Sequence, residues 1–456
     1  MPIDHPVTAL RLAFYLGGLA CFGVPPVCEH LHLPRDSLVT SASLIAGLIF
    51  FFLACRATLP HLLRWLLPYS RGLAVCGLVG ALWLSVYSLD DIAHFHRDLG
   101  RPDRSWTDAI AMADCATHLV LRGRNPYSAF SLVDCFSRLH LDGRFSTPLQ
   151  AGAFAHVRAH LSLRDELRAF ETARRHHVRH PAAFESYFTY PAGAFLLAAP
   201  VVAVGWPEFS ASYMVWIVGA YLLLAWRAPA RMRPWLVPLA LGNVAFWDYV
   251  MRGFTEGSMV FLLLAAWITR RRPVVSAVLM GAAVATHQEA WLVAPFYLVL
   301  VDRTDGWRAT VWRLAVIGAI FALVNGPFAL QSPGDWLSGV LGPLKDPMFP
   351  AGAGIIALRQ HGVLTLWPHP VYTFLELAAL VACVLYYART CGRQPDTGLV
   401  LALVPLVFAW RSFFVYFFAP LPILCLWPLL ADLRRARAEA REGGARSGPP
   451  PTPRPV

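Results

Sequence analysis

The sequence predicts an all-α polytopic membrane protein with about 11–13 transmembrane helices and a large first extracytoplasmic loop. Of its 456 residues, 57% are hydrophobic and only 15% are charged, and the mean hydropathy is +0.49. Soluble domains carry about 25% charged residues. Apolar runs of about 18 residues recur, and each can cross a hydrocarbon core of roughly 30 Å as a helix. These observations exclude a soluble globular enzyme.

The apolar runs are predicted to be helices because backbone polar groups in lipid must be paired within the segment. The first run, around Leu12 to Phe22, is interpreted as a retained span since no convincing small-residue cleavage site follows it. Clear further examples are Leu38 to Cys55, Gly72 to Leu89, Val311 to Leu330, Val371 to Ala388 and Phe413 to Ala431.

Changes in composition divide the chain into four regions. Residues 1–89 hold the N-terminal transmembrane helices, and residues 90–187 form a long polar loop. Because structureless loops of this length are uncommon, we expect surface helices within it, with Leu161 to Arg175 as one candidate. Residues 188–431 form a transmembrane helical bundle. Residues 432–456 are interpreted as a disordered basic cytoplasmic tail.

Short arginine-rich loops set the predicted sidedness. The formal charge of +11 comes from basic residues at the ends of apolar runs, so they indicate topology and not a nucleic-acid site. The positive-inside rule places these loops in the cytoplasm and the long loop outside. The runs at 190–205 and 211–226 conflict with this arrangement if both cross. We therefore expect one of them to enter the membrane without crossing it.

Ionisable residues gather at the tight turns predicted on the outer side. Such groups at a membrane boundary are costly, so a functional role is the starting hypothesis. The alternative is that each caps a helix or meets lipid headgroups. Arginine binds phosphate bidentately and keeps its charge, which favours a phosphate-binding role for the two arginines. The ionisable residues are Arg252, Glu256, His287, Glu289 and Arg411, and the neutral polar residue Gln288 lies between two of them.

Four aspartates of the long loop are candidates for a general base. A carboxylate near the outer surface can take a proton from a hydroxyl acceptor as it attacks. Asp90 and Asp91 lie where the third span leaves the membrane, and Asp108 and Asp114 precede the run Gly-Arg-Asn-Pro-Tyr at 123–127. For each of them taken alone, a solvated loop acid is the favoured interpretation.

The loop also contains histidines and two cysteines. Neither the pair His94 and His96 nor the cluster at 176–180 has the spacing of a known metal site, so no metal is expected. Cys115 and Cys135 flank the Asn-Pro-Tyr turn, and in an oxidising compartment a disulfide between them closes a loop of about 20 residues. We predict this disulfide.

Several short motifs, in their order along the chain, resemble the GT-C superfamily of polyprenyl-phosphate-sugar-dependent glycosyltransferases, in its mannosyltransferase-like branch. The resemblance covers most of the chain from Trp106 onward. Relatives often carry lysine where this chain has His287. The matching elements are Asp108 with the run 123–127, Tyr190-Pro191, the turn with Glu256, the run 281–296 with Thr-His-Gln-Glu, and Arg-Ser-Phe-Phe-Val-Tyr from Arg411.

The resemblance implies an inverting transferase with a catalytic aspartate in the first large outer loop and a lipid-phosphate sugar as donor. Asp108 best fits the spacing, and Asp114, Asp90 and Asp91 are reserves. The donor phosphate is then bound by Arg252, Arg411 and His287. The predicted substrate-binding residues are Glu256, Gln288, Glu289, Asn125, Tyr127, Tyr190 and Tyr416.

The leading hypothesis is transfer of a mannose-like hexose or a pentose from a polyprenyl-phosphate sugar to a hydroxyl of a glycan, glycolipid or protein, with no cofactor required. The predicted location is a bacterial inner membrane, with the active site facing the periplasm. The alternative is a transporter or flippase, although such proteins place polar groups near the midplane and often show internal repeats. A non-catalytic scaffold is the third possibility.

Overall fold

The computed structural model describes residues 6–32, 37–98, 107–157, 161–206, 209–250, 255–360, 362–365 and 367–446. The structure is 76% helical with almost no strands. Six helical segments are long and apolar enough to cross a membrane: Pro6–His30, Leu38–Cys55, His61–His94, Trp307–Gln331, His369–Thr390 and Val415–Arg434. The predicted class of an all-α polytopic membrane protein is confirmed. The number of spans stays a prediction, because it depends on which of the shorter apolar helices also cross.

Three long helices form the N-terminal region. They are α1 (Pro6–His30), α2 (Ser37–Cys55) and α3 (Ser70–Asp98), with a 3-10 turn at His61–Tyr69 before α3. Helix α3 continues past the predicted boundary at residue 89, because its exit segment still has helix-compatible residues and no Gly or Pro before Asp98. Helix α1 packs against both α2 and α3.

The long loop contains short helices, as expected from its length. They are α4 (Asp108–Leu121), α5 (Pro126–Ala129), α6 (Leu132–Arg138) and α7 (Leu163–Arg175), with 3-10 turns at Gly143–Phe145 and Gly152–Phe154. The helix predicted at 161–175 is therefore present as α7. Aromatic rings from the loop and from the following helix build a hydrophobic core of their own, which includes Phe136, Phe170, Phe184 and Phe195.

The next segment alternates short apolar helices with tight turns. It contains α8 (Gly193–Ala203), α9 (Ala211–Arg227), a 3-10 turn (Ala230–Trp235), α10 (Leu236–Leu241), α11 (Val244–Val250), α12 (Gly257–Ile268), α13 (Pro273–Val284) and α14 (Glu289–Asp305). Helix α8 has 11 residues and is about 16 Å long, well short of a hydrocarbon core. This length supports the expectation that one of the runs at 190–226 does not cross.

The last third holds two long peripheral helices and a buried one. Its elements are α15 (Trp307–Gln331), α16 (Pro333–Val340), α17 (Gly342–Lys345), β1 (Ala351–Gly352), α18 (Ile355–Gln360), α19 (His369–Thr390), a 3-10 turn (Pro395–Thr397), α20 (Gly398–Leu401), a 3-10 turn (Val404–Phe408), β2 (Arg411–Ser412), α21 (Val415–Phe418) and α22 (Pro420–Arg446).

Burial distinguishes the central helix from the peripheral ones. The apolar window of Val415–Arg434 is 83% buried, whereas those of α15 and α19 are each 11% buried. Apolar side chains that α15 and α19 expose, such as Leu323 and Phe374, suit contact with lipid tails rather than water.

The C-terminal tail differs from its predicted disorder. Helix α22 extends to Arg446, so residues 432–446 are helical, and residues 447–456 lie outside the described part. The physical reason is local. Ala, Glu and Arg dominate residues 432–441, and these strong helix formers continue a helix that is already nucleated by its buried apolar half.

Candidate active site

A cavity of about 440 Å³ lies where the long loop meets the helix ends. Its wall comes from distant parts of the chain: the start of α4, the loop before α8, the turns before α12 and α14, the start of α19 and strand β2. The ionisable residues lining it are Asp108, Glu185, Glu256, His287, Glu289, His369, Glu376 and Arg411. These are the connections that the positive-inside rule grouped on one side.

Backbone pairing between loops holds this wall together. Pro148 bridges Phe184, Leu149 bridges Met348, and β1 pairs in parallel with β2 so that Ala351 lies opposite Arg411. Gly352 next to this pair has a φ of 128°, and a Cβ atom there would lie 2.1 Å from the carbonyl oxygen of Ser412. Only glycine permits this close approach, which fixes the strand that carries Arg411.

Asp108 is the first residue of α4 and lines the cavity. Its Oδ1 accepts a hydrogen bond from the backbone N–H of Ala109 at 2.8 Å, and its Oδ2 accepts one from the hydroxyl of Thr147 at 2.5 Å. The N-terminus of a helix favours a negative charge. The two hydrogen bonds therefore hold the carboxylate in one orientation at the start of α4.

Arg411 enters the cavity from β2, and its charge lowers the pKa of Glu185 against the effect of burial. Its Nη1 lies 3.1 Å from the sulfur of Met348, and its guanidinium carbon lies 4.7 Å from the centroid of the Phe413 ring. Its buried Nε has no hydrogen-bond partner, and no ion pair joins it to a carboxylate in the described part of the chain. A guanidinium in this condition is available to bind an anion.

Glu256, His287 and Glu289 form a compact, largely buried group. Each offers one ligand-type atom, and these atoms lie within 4.8 Å of one another. The Nδ1 of His287 contacts the Glu289 carboxylate, and its Nε2 lies 3.5 Å from the hydroxyl of Thr255. Gly257 allows this packing, since a Cβ atom there would lie 2.4 Å from the carbonyl oxygen of Tyr213.

The other predicted cavity residues divide into lining and scaffold groups. Tyr190 and Tyr416 line the cavity, and the Tyr190 ring lies 4.7 Å from that of His287. Gln288 also lines it, but its amide nitrogen donates to the carbonyl oxygens of Thr189 at 2.5 Å and Val340 at 3.1 Å. Gln288 therefore ties the α14 turn to the wall.

Two predicted substrate-binding residues lie behind the wall. The amide of Asn125 donates to the carbonyl oxygen of Phe328, and its Oδ1 accepts from the backbone N–H of Tyr127. The hydroxyl of Tyr127 donates to the carbonyl oxygen of Tyr190 at 2.8 Å, and the ring is fully buried. The Asn-Pro-Tyr turn thus positions the segment that carries Tyr190 and does not itself line the cavity.

Three of the four candidate aspartates do not line the cavity. Asp114 is 5% exposed and pairs with Arg138 and His118. Asp91 pairs with His30 at 3.0 Å, and Asp90 pairs with His94 at 3.4 Å on an exposed helix face. Asp114 does not line the cavity because it lies nearly two turns after Asp108 along α4 and therefore on another face of the helix.

Arg252 lies outside the described residues, so its predicted role in phosphate binding stays a prediction. Cys115 and Cys135 are joined by a disulfide that connects α4 to α6. This bond cross-links the helix that begins at Asp108 to its neighbour in the loop core.

The sequence analysis missed several lining residues, of which Glu185 and Thr147 are the most informative. The backbone N–H of Glu185 donates to the carbonyl oxygen of Thr147 at 2.9 Å, which places both beside Asp108. Burial, followed by the charge of Asp108, raises the pKa of Glu185 to about 8. The sequence feature that could have identified Glu185 is its position four residues before Thr-Tyr-Pro at 189–191, where the next apolar run begins.

Fold and site together define a class: a polytopic helical membrane protein with a polar cavity at one end of its bundle, where acids face an unpaired arginine. Residues 202–341 match the family model of the ALG3 protein. That family is a mannosyltransferase of the endoplasmic reticulum, of the GT-C type, which depends on dolichyl-phosphate mannose. The match supports a glycosyltransferase of the mannosyltransferase-like kind.

The matched segment contains Glu256, His287 and Glu289, whereas Asp108 and Arg411 lie outside it. Comparison with curated proteins and with solved structures finds no match.

Proposed function

We propose that this protein transfers a sugar, a mannose-like hexose or a pentose, from a polyprenyl-phosphate donor to a hydroxyl acceptor, with inversion at the anomeric carbon. The observation that carries the proposal is the pairing of roles in one cavity: an oriented carboxylate, Asp108, and an unpaired guanidinium, Arg411. The family match to the ALG3 protein supports the same reaction class.

The proposed step is a single displacement. The acceptor hydroxyl oxygen attacks the anomeric carbon while the bond from that carbon to the phosphate oxygen breaks. Polyprenyl phosphate leaves with the bonding electron pair, and Asp108 takes the acceptor proton as general base. Arg411 stabilises the phosphate as it gains charge, since a preorganised cation is most effective where charge develops.

We also propose that the cavity faces the non-cytoplasmic side. Helices α12 and α19 each begin at the cavity and end near arginine-rich loops, at Arg270 to Arg272 and at Arg389 to Arg393. The positive-inside rule assigns those loops to the cytoplasm. In a bacterium this side is the periplasm, and in the endoplasmic reticulum of the ALG3 family it is the lumen; a bacterial inner membrane stays the sequence-based prediction.

The test uses the full chain, purified in detergent, with a panel of polyprenyl-phosphate sugars and a hydroxyl acceptor. We expect consumption of one donor with release of polyprenyl phosphate, and a loss of about 100-fold or more in Asp108→Asn, because the general base is removed while the side-chain shape is kept. The matched control is Asp90→Asn, an exposed aspartate that does not line the cavity.

Full transfer activity in Asp108→Asn contradicts the mechanism. Consumption of no donor in the panel, together with flux of a lipid-linked substrate in proteoliposomes that lack an acceptor, replaces the proposal with the transporter alternative.

A further inference from the structure

The charge of the cavity does not suit an anionic donor without a further cation. Five carboxylic acids line it, Asp108, Glu185, Glu256, Glu289 and Glu376, and Arg411 is the only arginine or lysine among the lining residues of the described chain. A lipid phosphate brings more negative charge into the same space. In a site of low dielectric constant, uncompensated like charges are strongly unfavourable. Glu185, whose pKa is raised to about 8, is neutral at pH 7, but one guanidinium does not balance the remaining carboxylates together with the phosphate.

Three of the lining residues lie close together and have side chains that commonly bind metal ions. Glu256 directly precedes α12, and His287 and Glu289 flank the start of α14, so their backbones are fixed by two packed helices. Their ligand-type atoms lie within 4.8 Å of one another. Two carboxylates and one imidazole at this separation match a divalent cation that each of them contacts at about 2.1 to 2.3 Å.

Each carboxylate has one oxygen engaged and one available. The Oε2 of Glu256 accepts from the backbone N–H of Thr255 at 2.9 Å, and the Oε2 of Glu289 contacts His287. No hydrogen bond from another residue in the described ranges reaches the Oε1 of either one. Glu256 is only 6% exposed, and it lines the cavity.

The hydrogen bonds also orient the imidazole. When Nε2 of His287 donates to the hydroxyl of Thr255, which lies 3.5 Å away, Nδ1 carries no proton and keeps its lone pair toward the Glu289 carboxylate. A cation between Nδ1 and that carboxylate then contacts both, and the backbone N–H of Thr255 orients Glu256. Metal-binding histidines generally donate their second ring nitrogen to a neighbouring polar group in this way.

We propose that Glu256, His287 and Glu289 bind a divalent cation, which shares the donor phosphate with Arg411. The site itself follows from the geometry of the three side chains, whereas its role toward a phosphate rests on the proposed function. Mixed carboxylate and imidazole donors with open positions facing the cavity favour Mn²⁺, a cation that tolerates both ligand types and retains sites for phosphate oxygens. The loop histidines, by contrast, form no such group among the described residues.

The experiment measures Mn²⁺ binding without any donor. Full-length protein in detergent is treated with EDTA, freed of chelator and titrated with Mn²⁺, and free Mn²⁺ is followed by electron paramagnetic resonance. We expect one saturable site per chain and a ¹⁴N coupling from a directly bound imidazole. The double variant E256Q/E289Q should bind at least about tenfold more weakly, since the charged ligands are lost.

Glu376→Gln is the matched control, because Glu376 lines the same cavity outside the three-residue group and its variant should keep the site. Thermal unfolding of each variant checks that it is folded. The ¹⁴N signal needs no variant, so the proposal is testable even if E256Q/E289Q does not fold.

The absence of a saturable Mn²⁺ site, or a saturable site without imidazole coupling, overturns the inference. Full transfer by EDTA-treated protein that binds no Mn²⁺ overturns it as well and leaves the proposed function standing. Saturable binding with ¹⁴N coupling supports the site, even if no donor in the panel is consumed, in which case the proposed function fails alone.

Discussion

The arginine at the cavity end of the helix bundle and three arginines at the opposite end differ in their ion pairs. At the end away from the cavity, Arg11 pairs with Asp432, Arg313 with Asp305 and Arg270 with Asp396. Arg313 also donates to the hydroxyl of Tyr297 at 3.1 Å and to the carbonyl oxygen of Arg270 at 3.0 Å. At the cavity end, Arg411 has no carboxylate partner in the described chain, although five acids line the same cavity.

The arginines at the end away from the cavity join helices through ion pairs, whereas Arg411 is available to bind an anionic ligand. Removing a buried arginine that pairs with an acid leaves that acid unpaired. The Nε of Arg313 lacks a hydrogen-bond partner just as that of Arg411 does, so the difference lies in the ion pair, which Arg411 gains only when an anion binds. Substitutions at the two ends should therefore act on different measured quantities.

The largest expected effect is on donor binding in Arg411→Met. We expect the Kd for polyprenyl phosphate to rise several hundredfold, about 3 to 4 kcal/mol, since a charge-assisted contact to a desolvated phosphate is lost. The unfolding temperature should change less than the Kd, because Arg411 forms no ion pair with a carboxylate in the described chain and only its longer-range effect on Glu185 is lost. Binding of labelled polyprenyl phosphate measures the first quantity. A Kd within threefold of the wild type would remove Arg411 from the site.

The next effect concerns the disulfide, which is present only on the cavity side, whereas Cys55, Cys391 and Cys425 are buried free thiols. The double variant C115A/C135A should lose about 3 kcal/mol of stability, because the cross-link closes a loop with a sequence separation of 20. Thermal unfolding in detergent tests this, with Cys425→Ala as the control for a lost cysteine. A failure to find the linked peptide by mass spectrometry under non-reducing conditions would count against the bond.

A smaller effect is expected for Arg313→Met at the opposite end. It should destabilise the protein by about 2 kcal/mol, less than a fully buried pair, because Asp305 is 41% exposed and keeps much of its hydration. Donor binding by the folded fraction should match the wild type. The binding and unfolding measurements described for Arg411→Met are repeated on Arg313→Met. If Arg313→Met weakens donor binding and leaves stability unchanged, the proposed difference between the two ends of the bundle is wrong.

The smallest effect is the pH dependence that Glu185 introduces. Its pKa is raised from 4.5 to about 8, so the folded state binds its proton more tightly than the unfolded state does. The stability that protonated Glu185 contributes is complete below about pH 4.5 and is lost as the pH rises through 8. Relative to Glu185→Gln, the unfolding temperature of the wild type should fall by about 2 to 4 °C between pH 5 and 8.5. Parallel curves for the two proteins would contradict the raised pKa.

Much of the architecture was predictable because it follows from properties that act along the chain. Apolar runs identified the long helices, and the charge and length of residues 90–187 identified the loop and its helix at 161–175. Turns that the sequence analysis assigned to the outer side line one cavity. The reason is that successive spans of a membrane protein place alternate turns on the same side.

The individual site residues were less predictable because spacing does not show direction. Asp108 and Asp114 belong to one helix, yet only Asp108 lines the cavity, and Asp114 pairs with Arg138 on another face. Asn125 and Tyr127 belong to a motif that predicted substrate contact, but their polar atoms are used to hold Phe328 and Tyr190 in place. Glu185 was missed because its position shortly before the Thr-Tyr-Pro start does not reveal its proximity to Asp108.

The sequence by itself determined the class of protein, the positions of the long spans and the grouping of polar turns on one side, since these depend on composition and hydrophobic length. Only the tertiary structure decided which aspartate lines the same cavity as Arg411 and which glutamates lie beside His287. Those neighbours come from distant segments that are joined by backbone pairing at 148–149, 184, 348 and 351–352. The physical reason is that a contact between remote residues depends on how helices pack, and no local periodicity carries that information.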